Sequence, residues 1–265
     1  MSNDPHAQFK AAQREVWALF VPLEAATTIP AAELVKHARV RAKETVLDVG
    51  CGTGVVAVTA ARAGAHVSGL DLSPVLIAHA KNNAALAGVE IELREGDVEA
   101  LPYGDASFDK VLSQFGHMFA PRPEVAMSEM LRVLKPGGTI AFSTWPPEHF
   151  TGQMFALVGK HVPPPPGVAP PPQWGDPNVV RQRLGDAVSD VFFDRGLMTF
   201  PALSPQHYRQ GIEQTLGPVV KLVAALQSEP QKLAAFRTEL DGFIGRYFEG
   251  NTVRQQFLMT RATKR

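Results

Sequence analysis

Val46-Leu47-Asp48-Val49-Gly50-Cys51-Gly52-Thr53-Gly54 is the stretch that decides the fold. Thr45–Gly50 is an apolar, β-branched run that reads as a buried strand. The three glycines that follow make a turn, and Val55-Val56-Ala57-Val58-Thr59-Ala60-Ala61-Arg62-Ala63-Gly64 reads as a helix closed by Gly64. A strand that turns through glycines into a helix opens a doubly wound α/β sheet, whose ligands bind outside the carboxyl ends of the strands. A dinucleotide site needs the spacing G-x-G-x-x-G. With Gly50 and Gly52 aligned to that pattern, Val55 stands where the third glycine belongs. Asp48, two residues before the first glycine, would repel a pyrophosphate and suits a positively charged group. The turn therefore reads as the seat of a cationic, nucleoside-containing ligand without phosphates.

Outward from this turn, strand and helix patterns alternate. Strands are expected at 66–72, 91–97, 108–116 and 139–145, helices at 74–88 and 124–134, and a turn at Lys135-Pro136-Gly137-Gly138. Strands alternating with helices of this length predict a parallel sheet with right-handed crossovers. Asp71 ends the second strand and can accept both hydrogen bonds of a ribose diol; taken alone it could instead cap the next helix, although Ser73 before Pro74 suits that task better. Asp97 follows the third strand and could accept from an adenine amino group, with Val98 beside it. Taken alone, Asp97 would be a turn residue.

The flanking segments are less regular. Helices are expected at 9–20 and 31–38, then at 177–187, 205–226 and 229–248, with strands at 190–200 and 255–263. The stretch 163–172 holds seven prolines and cannot be helical; it reads as a rigid connector or a loop over the site mouth. The partition expected is a helical lid at 1–40, a cofactor-binding α/β core at 41–150, and the rest of the sheet with a helical substrate cap at 151–265.

Composition narrows the function. Lys plus Arg number 26 and Asp plus Glu number 26, so net charge offers no general attraction to nucleic acid or anionic membrane. No run resembles a transmembrane segment of roughly 20 apolar residues or a signal peptide, so a cytoplasmic location is expected. The single cysteine, Cys51, excludes an intramolecular disulfide framework. No metal-ligand cluster is expected.

The motifs VLDVGCGTG (46–54), GLDLS (69–73), GDVEALPY (96–103), FDKVLSQFGHMF (108–119) and LRVLKPGGTIAFSTW (131–145) together resemble those of the class I S-adenosylmethionine-dependent methyltransferases. The likeness is to the small-molecule branch that includes the ubiquinone/menaquinone C-methyltransferases, and it covers about residues 40–145. It implies a Rossmann-like, doubly wound sheet of seven strands, the last antiparallel, with a helical cap. It also implies S-adenosylmethionine as cofactor, leaving S-adenosylhomocysteine. By the same resemblance, Gly50, Gly52 and Gly54 would line the methionine part and Asp48 would hold the amino group. Asp71 would take the ribose hydroxyls, Leu72 would pack on the adenine, Asp97 and Val98 would contact its edge, and Gln114 would contribute backbone contacts to the amino-acid end. Cys51 belongs to the turn and is not expected to be a nucleophile.

The acceptor is less legible. Methyl transfer is an in-line displacement, so the protein chiefly aligns the partners and needs a base only if the acceptor must lose a proton. His117, after the fourth strand, and His149, after the fifth, are the candidate bases, each of which could equally be a packed or surface histidine. Trp17, Phe20, Trp145, Phe150, Phe236, Phe243, Tyr247 and Phe248 are candidates for an apolar acceptor pocket, with the aromatics of the late helices more often core than lining. A small-molecule acceptor, apolar or aromatic, is expected, and a monomer or homodimer suits the chain. A protein acceptor, a non-catalytic S-adenosylmethionine sensor and a nicotinamide-dependent reductase are the alternatives. Ser113-Gln114-Phe115-Gly116 lacks the Asn/Asp-Pro-Pro-aromatic tetrad of nucleic-acid amino methyltransferases.

Overall fold

The computed structural model describes residues 6–161 and 167–265. In chain order the elements are α1 (Ala7–Trp17), a 3₁₀ segment (Ala18–Leu23), α2 (Glu24–His37), β1 (Thr45–Val49), α3 (Val55–Arg62), β2 (His66–Asp71), α4 (Pro74–Leu86), β3 (Ile91–Glu95), β4 (Phe108–Gln114), α5 (Pro123–Val133), β5 (Leu134–Thr144) and α6 (Phe150–His161). Then follow α7 (Pro177–Leu184), β6 (Val188–Pro201), α8 (Pro205–Thr215), α9 (Gly217–Ala225), α10 (Pro230–Gly245), β7 (Phe248–Glu249) and β8 (Thr252–Lys264). The sheet order is β3-β2-β1-β4-β5-β8-β6, with the two-residue β7 paired to β8. β1 to β5 pair in parallel, and β8 runs antiparallel to both β5 and β6. This is the doubly wound, Rossmann-like sheet with an antiparallel late strand.

The apolar runs follow from burial of the sheet on both faces. Val46, Leu112 and Ala141 pack with Leu34 of α2 and Val56 of α3 on one face. Their chain neighbours Leu47, Val111, Ile140 and Phe142 pack with Met127 and Met130 of α5 on the other. A separate core joins α6, α8, α9 and α10 through Phe150, Ile212, Leu222, Phe236 and Phe243, and this is the cap. α4 starts where Ser73 accepts from the Leu76 N–H at 3.5 Å with Pro74 in the first turn.

Several sequence expectations are corrected. The helix expected at 205–226 is two helices, because Gly217-Pro218 breaks it after Thr215. Gly217 lets α1 approach: a Cβ there would lie 2.0 Å from Val16 Cγ1. The helix expected at 31–38 is the longer α2 and runs through Pro30. Residues 135–138 belong to β5 rather than to a separate turn. α6 has no counterpart among the sequence expectations. Residues 163–166 of the proline stretch lie outside the described residues. Its later part forms a 3₁₀ turn, Pro171–Gly175, that buries Trp174 against Phe142. The helical stretch Ala7–His37 includes an 18-residue window of mean hydropathy 1.4, so by length and composition alone it could cross a membrane. It is interrupted by the 3₁₀ segment, and its Phe9, Trp17, Phe20 and Leu23 line a cavity instead.

Candidate active site

A cavity of about 1590 Å³, including its open mouth, lies at the carboxyl edge of β1, β2 and β4 and extends under the cap. Its lining runs from the glycine turn to Met198, Tyr208 and Ile212 of β6 and α8. The turn is built from backbone that other residues resist: Gly50, Gly52 and Gly54 have φ of +63°, +55° and +85°. A Cβ on Gly52 would meet nothing within 4 Å, so bare backbone faces open space. Gly50 is held by a second glycine that sequence reasoning missed. A Cβ on Gly116 would lie 2.6 Å from the Gly50 carbonyl oxygen, so β4 and the turn meet backbone to backbone.

Asp48 is 1% exposed. Its Oδ2 accepts from the Ala57 N–H at 3.0 Å, while Oδ1 is buried with no partner among the described residues. Burial pushes this carboxyl up to about 7, and the nearby Asp71 adds to the rise. A buried carboxylate oxygen without a partner, lining a cavity, fits a cationic ligand group. Asp71 ends β2 and ties the site together: it accepts from the N–H of Gly52 and of Ser73, both at 2.8 Å. Burial raises its pKa, and those backbone donors partly offset the rise. Each of its oxygens keeps one lone pair for a ligand hydroxyl.

Leu72, Asp97, Val98 and Gln114 line the same cavity, so all the residues assigned to the cofactor converge except Gly54. Gly54 lies one step inside, at the start of α3 against Ala80. Asp97 is not a lone acceptor. Its Oδ2 takes the Lys10 ammonium at 2.6 Å, and Glu99 takes the same ammonium at 2.6 Å. Arg14 also pairs with Glu95, so α1 is latched across the ends of β3. Gln114 Nε2 donates to the Thr27 carbonyl of α2 at 2.9 Å, leaving its Oε1 buried with no partner among the described residues. Sequence spacing carried no sign of this side-chain grip.

The candidate bases are not brought together. His117 is fully buried, its ring packed against Phe142 and Trp174, and neither ring nitrogen has a partner among the described residues. Burial, reinforced by Arg183, pushes its pKa down to about 3, so it is neutral and weakly basic at neutral pH. It nonetheless lines the cavity, where a neutral, weakly basic ring favours packing over the base role expected of it. His149 lies outside the cavity lining, bonded to Arg195 at 2.7 Å and beside Glu148. Loss of a general base costs roughly 10²–10⁴-fold in rate. His117→Gln should instead keep turnover within about tenfold of wild type in an S-adenosylhomocysteine release assay, and a larger loss would return the ring to catalysis. Burial raises the pKa of the Cys51 thiol, which stays protonated.

Aromatic rings make the inner walls. Phe115 stacks on Trp145 at 4.0 Å and 12°, and Trp17 meets Phe119 edge-on at 4.5 Å. Phe115 has φ of +57°, a conformation that carries strain of about 1–3 kcal/mol and places its ring beside the site. Of the aromatics weighed for the pocket, Trp17, Phe20 and Trp145 line the cavity, whereas Phe150, Phe236 and Phe243 fill the cap core.

A doubly wound sheet whose first turn combines bare glycine backbone with buried carboxylates fits a nucleoside-bearing ligand that carries a cationic group and no phosphates. A family model described as a methyltransferase domain matches residues 47–142. A protein of Mycobacterium tuberculosis is 34% identical over 233 residues, covering 87% of this chain and 85% of its own. The malonyl-[acyl-carrier protein] O-methyltransferase of Erwinia pyrifoliae is 44% identical over 112 residues, 42% of this chain and 41% of that enzyme. The crystal structure of the YcgJ protein of Bacillus subtilis shares the fold with a TM-score of 0.59 at 18% identity, covering 89% and 97% of the two chains. The chain belongs to the class I S-adenosylmethionine-dependent methyltransferases. Membership implies S-adenosylmethionine as the methyl donor.

Proposed function

We propose that this protein transfers a methyl group from S-adenosylmethionine to a small, largely apolar or aromatic acceptor held under the cap. One observation carries the reading. Asp48 keeps a buried oxygen with no partner among the described residues beside the glycine turn, in the same cavity as the aromatic walls. When bound, the cofactor supplies a methyl group already activated on a sulfonium. The residues divide the remaining work. Asp48 holds the amino group, and the bare backbone at Gly50 and Gly52 admits the methionine part, with Gly54 setting the turn. Asp71 accepts from the ribose hydroxyls. Leu72 and Val98 clasp the adenine, and Asp97, shared with Lys10, meets its edge. Gln114 anchors α2 over the amino-acid end. The walls of Phe115, Trp145 and Phe119 exclude water and align the acceptor, which favours charge relocation in a dry site.

Two tests bear on this. Isothermal titration should show binding of S-adenosylmethionine and S-adenosylhomocysteine and none of NAD; binding of NAD alone would refute the reading. Asp71→Ala should weaken S-adenosylhomocysteine binding by about 1–3 kcal/mol, through loss of charge-assisted hydrogen bonds. Unchanged affinity in that variant would show the ribose assignment to be wrong.

A further inference from the structure

The cap end of the cavity holds polar side chains that cofactor binding does not use. Thr151 of α6, Tyr208 of α8 and Gln255 of β8 all line it, each less than a tenth exposed. Thr151 Oγ1 donates to Gln255 Oε1 at 3.2 Å, and Gln255 Nε2 donates to the Tyr208 hydroxyl at 2.6 Å. The Tyr208 ring is fixed edge-on between Phe150 and Phe200. Two hydroxyls and a carboxamide carry four N–H or O–H protons, and the two internal bonds use two of them. Turning the carboxamide over changes which protons remain but not their number. The group therefore presents spare donors beside an apolar space, where an unmet polar group is costly. Burial raises the Tyr208 pKa, so the phenol stays protonated.

The same end of the cavity has no charge to answer an anion. Lys10 is the one ammonium or guanidinium in the lining among the described residues, and Asp97 and Glu99 hold it. An anionic acceptor would be desolvated without a counter-ion.

We infer that Thr151, Tyr208 and Gln255 are the anchor for the acceptor. The acceptor is a neutral, mostly apolar molecule that offers a hydrogen-bond-accepting oxygen of the carbonyl kind to the spare donors. This rests on the methyl-transfer reading for the role of the cavity, while the anchor itself rests on the trio. The anchor positions the substrate and takes no proton from it.

Equilibrium dialysis with excess S-adenosylhomocysteine tests this. The probes are benzophenone, the isosteric diphenylethylene in which C=CH₂ replaces C=O, and diphenylacetate. The wild type should hold the ketone about tenfold more tightly than the alkene, the effect of one net hydrogen bond, and should hold the anion least. The triple variant Thr151→Val/Tyr208→Phe/Gln255→Leu, which removes every donor of the group, should bring ketone and alkene to within about twofold, with S-adenosylhomocysteine affinity unchanged. Equal binding of ketone and alkene to wild type, no binding of either, or a preference that survives in the variant without these donors would overturn the anchor. Calorimetric binding of S-adenosylhomocysteine by the same preparations keeps the two readings apart. Cofactor binding without ketone preference removes only the anchor, whereas ketone preference without cofactor binding removes the methyl-transfer role and leaves an oxygen-selective pocket.

Discussion

Asp48→Asn should weaken S-adenosylmethionine binding about a hundredfold and at the same time make the ligand-free protein more stable at pH 8. Both effects come from one buried carboxyl. Folding raises its pKa from 3.8 to about 7. The folded state therefore binds a proton more tightly than the unfolded chain does. This contribution favours the fold at pH below about 4, and is lost progressively as pH rises to about 7. Above that pH the ionised Asp48 lowers stability by an amount on the order of 4 kcal/mol, because each tenfold gain in proton affinity on folding is worth about 1.4 kcal/mol. Asn can still accept from the Ala57 N–H but carries no charge to desolvate, so it should recover part of that amount at pH 8 and almost none at pH 4. A cationic amino group at the free Oδ1 would reverse the balance by pairing the charge. Binding should then be strongest above pH 7 and weaken about tenfold for each pH unit below it, because the proton must leave Asp48 first. In the Asn variant, affinity should fall by about two orders of magnitude, the loss of a buried charge-assisted contact. Thermal unfolding at the two pH values, with calorimetric titration of S-adenosylmethionine, checks both halves. A variant that is less stable at pH 8, or that binds normally, would contradict the assignment.

Gly116→Ala should damage the site as severely from a position that touches no carboxylate. Gly116 has φ of −90° and ψ of −60°, which alanine adopts without strain. The effect of the substitution is therefore steric alone. The added methyl would lie 2.6 Å from the Gly50 carbonyl oxygen and 2.9 Å from the Gly50 Cα, both of them backbone atoms. Neither can swing aside as a flexible side chain would, so the glycine turn must shift. Overpacking of this kind costs about 1–3 kcal/mol, and a displaced turn should weaken S-adenosylhomocysteine binding by about ten- to a hundredfold. Gly159→Ala in α6 is the matched control: a Cβ there meets nothing within 4 Å, and the change should be neutral or stabilising by up to about 1 kcal/mol. Equal melting temperatures and affinities for wild type and Gly116→Ala would show that the two glycine backbones are not in forced contact.

These two positions also mark how far the sequence could be read. Asp48 and its glycines were legible because their chemistry is local: one strand, one turn and one helix start within a short run. The alternation of strands and helices was legible because burial on both faces leaves unbroken apolar runs. Gly116 was not, since its requirement comes from Gly50, a contact between segments distant in sequence. The surroundings of His117 were not legible for the same reason. This residue follows β4 in the chain, but its ring packs against Trp174, a residue of the proline-rich turn whose path no local pattern reveals. α6 was hidden by Gly152 and Gly159, which depress helical propensity, although Gly152 is needed where a Cβ would lie 2.3 Å from the Pro146 carbonyl oxygen. The break at Gly217 is likewise explained by Val16 of α1, far away in the chain. The Thr151, Tyr208 and Gln255 group draws on three elements and leaves no spacing to detect.

The most direct test of the cofactor assignment is a crystal structure with S-adenosylhomocysteine. Its amino group should lie within about 3 Å of the Asp48 oxygen that now lacks a partner, with the ribose hydroxyls on Asp71. Density for the amino group elsewhere, or a ligand bound away from the turn at Gly50 and Gly52, would contradict the account.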